Sequence, residues 1–373
     1  MYDQIRGDII YIMLYAGVTT LNIVISCYLL FRRGNAFAPD IIPPVRLRRW
    51  TAAFLAVLAL SHIWYMPILF LSSREDIILS YFIGGLLDSI TVFPLAIIVL
   101  LVMLQDRRRP LWPAVVIVAP LVFVMAMCVA NRNEDFLPVL YVYLPIMLIG
   151  LIIYMVRAVR QYGNWLCDNF ADLEHKEVGQ SFVVLAIILL IFAIYMSSSD
   201  DPVFQYTTQI LSIILIGYLL WRVETLSDLS TPQLQSLSIE ETTEKVNMEN
   251  DGLSLSTTRK IELLLQQYCI DAQLYLQHDL TLSQLAKTIG TNRFYLSQYF
   301  SSQGISYNAY INNLRINHFI SLYRKAIAKQ QSSSVQQLAH DSGYRSYSTF
   351  SLAFKRRMGQ TVTEWTREQH LSK

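Results

Sequence analysis

The 373-residue chain is 53% hydrophobic and only 16% charged, with a mean hydropathy of +0.36. Those values exclude a disordered chain and a single ordinary soluble domain. The formal charge of +2 hides three unlike blocks: 15 basic and 15 acidic side chains in residues 1–222, seven acids against Lys245 in 223–256, and twelve basic residues against Asp341, Glu364 and Glu368 in 281–373. Such a division points to a membrane part, a spacer and a module for an anionic partner.

Seven apolar stretches follow one another, at about 9–31, 50–71, 77–104, 111–130, 136–156, 179–196 and 203–221. About 20 helical residues cross the ~30 Å hydrocarbon core of a bilayer. Backbone polar groups in lipid must be satisfied within the segment, so the stretches are expected to be seven spanning helices with the lipid bilayer as solvent. Asp3 and Asp8 flank the first against Arg6 alone, which argues against a cleaved signal peptide. Arg32, Arg33, Arg46, Arg48, Arg49, Arg107, Arg108, Arg109, Arg157, Arg160 and Lys176 fall in one set of loops, and only Arg6, Arg74 and Arg132 in the other. Basic loops stay inside, so the N-terminus is expected outside and the C-terminus in the cytoplasm.

Polar groups within the spans are few. Asn22, His62 and Asp88 stand out, with Gly84 and Gly85 beside Asp88 allowing close helix approach. An ionisable group at membrane depth marks a candidate sensory site; the plainer reading is a packing hydrogen bond. The outer loops each carry an acidic pair, Glu75–Asp76, Glu134–Asp135 and Asp200–Asp201. Together these are a candidate mouth for a divalent cation or a basic peptide, against ordinary solvated loops. Trp50, Trp64, Trp112 and Trp221 near span ends fit interfacial anchoring. The four cysteines are widely spaced, the histidines are scattered, and no catalytic constellation is found. Neither enzyme activity nor a metal or other cofactor is indicated.

From Val223 to Ser256 the chain turns to Ser, Thr, Gln and Glu, with Pro232 and Gly252 as breakers. As coil, this spacer would span about 30–35 Å. Leu226, Leu229, Leu234 and Leu237 do not sustain heptads.

Beyond it the period becomes that of soluble amphipathic helices, beginning with Ile261, Leu264, Leu265 and Tyr268. Thr281 to Gln284 is a capping box that opens a helix with Leu282, Leu285, Ala286 and Ile289 inside. Gly290 makes the turn and Asn292 caps a second helix, Arg293 to Ser302, with Phe294, Tyr295, Leu296, Tyr299 and Phe300 alternating with exposed Arg293, Ser297 and Gln298. Helix, glycine turn, helix is the helix-turn-helix pattern. It recurs at an offset of 53 residues: Ser334 to Gln337 is a second capping box, Val335, Leu338 and Ala339 repeat Leu282, Leu285 and Ala286, and Gly343 repeats Gly290. A helix from about Ser346 to Met358 follows, and a long helix from Ser306 to about Ala328 joins the two units. Two such units on one rigid connector suit two successive major-groove faces, about 10 bp apart.

The stretches TLSQLAKTIGTNRFYLSQYF (281–300), GISYNAYINNLR (304–315) and VQQLAHDSGYRSYSTFSLAFKRRMGQTVTEW (335–365) resemble the DNA-binding domain of the AraC/XylS family of bacterial transcription regulators. The resemblance spans residues 259–370, about 30% of the chain, and is closest to membrane-anchored members with a multi-span N-terminal part. Together with the apolar stretches, it gives an expected all-α protein in two parts, a seven-helix membrane domain (1–222) and a cytoplasmic tandem helix-turn-helix domain (257–373), joined by an acidic linker (223–256). Double-stranded DNA is the implied partner, with RNA polymerase and a second copy of the chain as further candidates; the signal is not named by the sequence. By position the resemblance puts Arg293, Phe294, Ser297 and Gln298 on the first groove-facing surface, and Arg345, Tyr347, Ser348, Thr349 and Ser351 on the second. Asn292, Lys355, Arg356 and Arg357 are candidates for phosphate contact; compensation of a helix C-terminus is the other reading of the last three, and the basic balance favours contact. Gln298 and Leu352 stand where the family often has arginine, and Thr361-Val362 replaces the usual Thr-Pro. Leu352 cannot hydrogen-bond a base, which leaves a thymine methyl or packing. The competing readings are a transporter or membrane enzyme with an autoregulatory DNA-binding tail, and a tail that binds protein instead of DNA.

Overall fold

The computed structural model describes residues 8–32, 34–196, 202–229, 255–329 and 334–371. All of its regular elements are helices, and the chain divides into two compact units. Unit 1 comprises Met1–Tyr162 and Val178–Ser230; unit 2 comprises Gly163–Glu177 and Thr231–Lys373.

Unit 1 is built from α1 (Ile9–Phe31), α2 (Val45–Tyr65), α3 (Arg74–Ile90), α4 (Val92–Met103), α5 (Trp112–Val116), α6 (Ala119–Asn131), most of α7 (Leu137–Asn169), α8 (Gly179–Met196) and α9 (Pro202–Thr225). Asp8 starts α1 by accepting from the Ile10 and Tyr11 amides at 3.1 and 3.2 Å, which satisfies two of the donors a helix start leaves open. Six stretches among the described residues are long and apolar enough to cross a membrane: Ile9–Phe31, Val45–Ile68, Arg74–Met103, Trp112–Asn131, Leu137–Asn169 and Tyr206–Thr225. The sixth expected span corresponds to α8, a helix over Gly179–Met196 whose sequence GQSFVVLAIILLIFAIYM is apolar almost throughout. Ile10, Met13, Phe31, Phe70, Tyr141, Val142 and Ile149 are exposed. A water-facing helix would bury such residues, whereas lipid solvates them.

The Gly84–Gly85 pair does sit at a close approach: a Cβ at Gly84 would fall 2.3 Å from Tyr65 Cε1, and one at Gly85 3.3 Å from Met125 Sδ. The apolar stretch expected at 136–156 continues as helix to Asn169, past Arg157, Arg160 and Trp165. The composition change at Val223 does not end the folded part. Val223, Leu226 and Leu229 are buried, and the Asp228 and Leu229 amides donate to Ile42 O and Gln105 Oε1. Pro232, Leu234, Leu237 and Gly252 lie outside the described residues.

Unit 2 contains α10 (Leu255–Leu264), a π-helical turn (Leu265–Asp271), α11 (Leu282–Thr288), α12 (Arg293–Ser302), α13 (Tyr307–Ala328), α14 (Val335–Asp341), α15 (Tyr347–Met358) and α16 (Val362–Leu371). Two cores share α13. One gathers Leu265, Leu285, Leu296, Phe300, Tyr307 and Ile311; the other gathers Ile316, Phe319, Phe350, Phe354 and Trp365. Arg315 stands between them, 1% exposed.

Candidate nucleic-acid interface

The first helix-turn-helix is held by local hydrogen bonding. Thr281 and Gln284 form the expected reciprocal capping box at 2.9 and 3.2 Å. Gly290 turns the chain with φ +70°, a conformation that strains a side chain. Asn292 then caps α12 by accepting from the Phe294 amide at 2.8 Å. The second unit differs in one detail. Ser334 caps α14, but the Gln337 side-chain amide donates to Asp341 Oδ1 at 2.8 Å, one turn along the helix. Ser346 caps α15 by accepting from the Thr349 amide at 3.3 Å, and Gly359 closes it in the left-handed region.

The two units are joined by a buried arginine that composition and spacing do not single out. Arg315 Nε donates to Tyr275 O at 2.7 Å and Nη2 to Gln277 O at 2.8 Å. Its guanidinium lies 5.5 Å from the Tyr344 ring centre. Burial lowers the Arg315 pKa, while Tyr344 and Tyr307 act in the opposite sense. Gly343 (φ +89°) lets the second turn reach this seam, since a Cβ there would fall 2.8 Å from Leu276 Cα and O. Deep burial pushes the nearby Cys269 thiol up to about 12, so it is an inert core group.

On α12, the first helix expected to face a groove, Arg293, Phe294, Ser297 and Gln298 are all half-buried. Ser297 and Gln298 are therefore less open than their alternation predicts, and Gln298 Oε1 is buried without a hydrogen bond among the described residues. Leu296 and Phe300 form the true inward face. On the second, Arg345, Tyr347 and Ser348 are exposed, and Thr349 and Ser351 half-buried. Leu352 is 58% exposed, so packing is not its role. Lys355, Arg356 and Arg357 are exposed at the end of α15. Arg357 nonetheless donates to Asn313 O, and to Asn317 Oδ1 at 2.7 Å; it ties α15 to α13.

Residues Gly163–Glu177 belong to this unit, which sequence reasoning missed. The Ala171 amide donates to Leu280 O at 3.1 Å, and Phe170 pairs with Thr281 in an isolated antiparallel bridge. Ala171 is buried in the first core. Asn308 Nδ2 donates to Phe170 O and Ala171 O at 3.1 and 2.8 Å. Two contacts reach α12 and the start of α15: Arg293 donates through Nε (3.1 Å) and Nη2 to Asn169 Oδ1, and Ser346 Oγ and Thr349 Oγ1 donate to Glu174 Oε2 at 2.5 and 2.8 Å. Lys176 and Arg345 both approach Asp279, at 3.4 and 3.2 Å. The only signal in sequence was a run of polar residues beyond a span.

In unit 1 Asp88 and His62 each gather polar partners, and both sets involve residues of α2. Asp88 accepts from Ser61 Oγ (2.8 Å), Trp64 Nε1 (3.2 Å) and Tyr65 OH (3.0 Å). His62 lies between Leu58 O (2.8 Å) and Gln209 Oε1 (3.2 Å), against the Tyr15 ring. Trp64, expected as an interfacial anchor, is thus a donor to Asp88. Buried Glu224 was also missed; it accepts from Tyr28 OH and pairs with Arg48 at 3.5 Å. Glu75, Asp76, Glu134 and Asp135 are exposed, while Asp200 and Asp201 lie outside the described residues. Among the described residues no three His, Cys, Asp or Glu side chains gather as a metal site.

The family description "Helix-turn-helix domain" matches residues 285–368. The TCP pilus virulence regulatory proteins of two Vibrio cholerae serotype O1 strains, ATCC 39541 and ATCC 39315, are each 35% identical over 75 residues, 20% of this chain. The match spans a quarter of those relatives' length. No solved structure matches the chain at a significant level. With duplicated caps, glycine turns and a shared connecting helix, residues 285–368 are an AraC-type helix-turn-helix domain.

Proposed function

We propose that the chain is a membrane-embedded transcription regulator. On this reading seven helices within 1–222 span the bacterial inner membrane with the N-terminus outside. Residues 257–373 read specific double-stranded DNA in the cytoplasm, and 223–256 link the two. The single observation that carries it is one chain holding both a set of helices long and apolar enough to cross a membrane and a helix-turn-helix domain. Arg293, Phe294, Ser297 and Gln298 would meet one major-groove face, Arg345, Tyr347, Ser348, Thr349 and Ser351 the next. Asn292, Lys355 and Arg356 would meet phosphates. The regulatory role printed for the Vibrio relatives supports this direction.

Asp88 and His62, with their partners, are the proposed sensory centre. Together they join α2, α3 and α9 through hydrogen bonds whose loss is costly in lipid. RNA polymerase and a second copy of the chain are the proposed protein partners. Genome-wide occupancy of the full-length, membrane-localised protein tests the reading. A few sharp sites are expected. Absence of any site, with intact protein under inducing and non-inducing conditions, would refute it and turn attention to transport.

A further inference from the structure

Gly163–Glu177 is the one part of unit 2 that the C-terminal chain does not supply. In sequence it runs from the end of α7 to just before α8. We propose that it is an autoinhibitory strap: its Asn169 and Glu174 contacts occupy the DNA-reading side of the helix-turn-helix domain, and double-stranded DNA must displace them. The proposal rests on the DNA-binding reading above.

The chemistry of the contacts is that of DNA. Glu174 places a carboxylate oxygen on the Ser346 and Thr349 hydroxyls, in the cap and first turn of α15. A helix start favours negative charge, whether from a carboxylate or from a phosphate oxygen. Asn169 presents a planar amide oxygen to the Arg293 guanidinium, the kind of acceptor that arginine finds on a guanine edge or a phosphate. One segment therefore engages both groove-facing helices. It is acidic as well, with Asp168, Asp172, Glu174 and Glu177 against Lys176.

Its anchor and its blocking contacts are separate. Phe170 and Ala171 are held by backbone bonding, by Asn308 and by burial in the core. Asn169 and Glu174 lie on either side and reach α12 and the start of α15 through side-chain hydrogen bonds. Displacement thus exchanges a few polar contacts for DNA contacts and leaves the core intact. The strap is also covalently continuous with two apolar helices, α7 and α8.

The test uses the full chain in lipid nanodiscs and a random-sequence DNA duplex at low salt. Glu174→Gln and Asn169→Ala, made separately, are each expected to tighten binding about tenfold, the worth of one hydrogen bond to a charged group. Binding unchanged or weakened in both variants, with the wild type binding DNA, overturns the strap. Failure of all three proteins to bind overturns the DNA-binding reading itself. Hydrogen exchange on the wild type needs no variant. Amides in 172–177 should exchange faster once DNA is bound, while the Ala171 amide stays protected; unchanged exchange in 172–177 with DNA bound also overturns the strap.

Discussion

Arg315→Leu is expected to uncouple the two helix-turn-helix units. The arginine is 1% exposed and supplies both donors to the Tyr275 and Gln277 carbonyls. Leucine fills part of the volume and donates nothing. Each carbonyl left unpaired in the interior costs about 1–3 kcal/mol, and the lost contact with the Tyr344 ring about 1–2 kcal/mol. Against this, removing a buried charge returns part of its desolvation penalty. The balance is a destabilisation of about 3 kcal/mol, and Arg315→Lys should cost less because one donor can still reach a carbonyl. Native-state hydrogen exchange on the full chain reads it directly: amides of α13 should lose about two orders of magnitude of protection at that cost. DNA affinity should fall as well, because two units read successive grooves only if their separation is fixed. Protection within about 0.5 kcal/mol of wild type would refute the reasoning. It would mean that desolvation of the guanidinium cancels its bonds.

Three further outcomes follow from particular contacts. Gly343→Ala should destabilise unit 2 by about 2–3 kcal/mol, because a Cβ at φ +89° would also press on the Leu276 backbone; Gly290→Ala, with open space around it, should cost only about 1–2 kcal/mol from the backbone, and denaturant midpoints compare the two. Burial first, then Lys325, lowers the His318 pKa, so the folded form binds fewer protons than the unfolded chain. Its stabilising effect is full above about pH 6.5 and is lost as pH falls from there toward the folded value; His318→Gln should flatten that slope in melts from pH 7.5 to 5. Arg356→Ala should reduce the salt slope of DNA binding by about 1 and weaken all sequences alike. Arg357→Ala should in addition lower stability, because Arg357 bonds Asn313 and Asn317 on α13; equal melting of the two variants would contradict that division.

Much of this protein was legible without coordinates, for reasons that are local. Caps, glycine turns and helix periodicity act over three to seven residues, so Thr281, Gly290, Asn292, Ser346 and the bounds of α13 could be read directly. The repeat at offset 53 and the basic balance then suggested two groove-facing helices. Long apolar runs announced the candidate spanning helices, because hydrophobicity over about 20 residues is itself a local property. Partnerships between distant residues were beyond that reach. Arg315 looks like any surface cation on an amphipathic helix until the Tyr275 and Gln277 carbonyls converge on it across about 40 residues. Trp64 looks like an interfacial anchor until its indole N–H donates a hydrogen bond to Asp88. Asn169 and Glu174 sit more than 120 residues from the helices they touch, in a stretch whose composition names no function. The chain by itself determined its helices, their caps and the two-part plan, because those depend on neighbours in sequence. Only the tertiary structure decided which polar groups pair, because a buried donor must find an acceptor wherever the fold brings one.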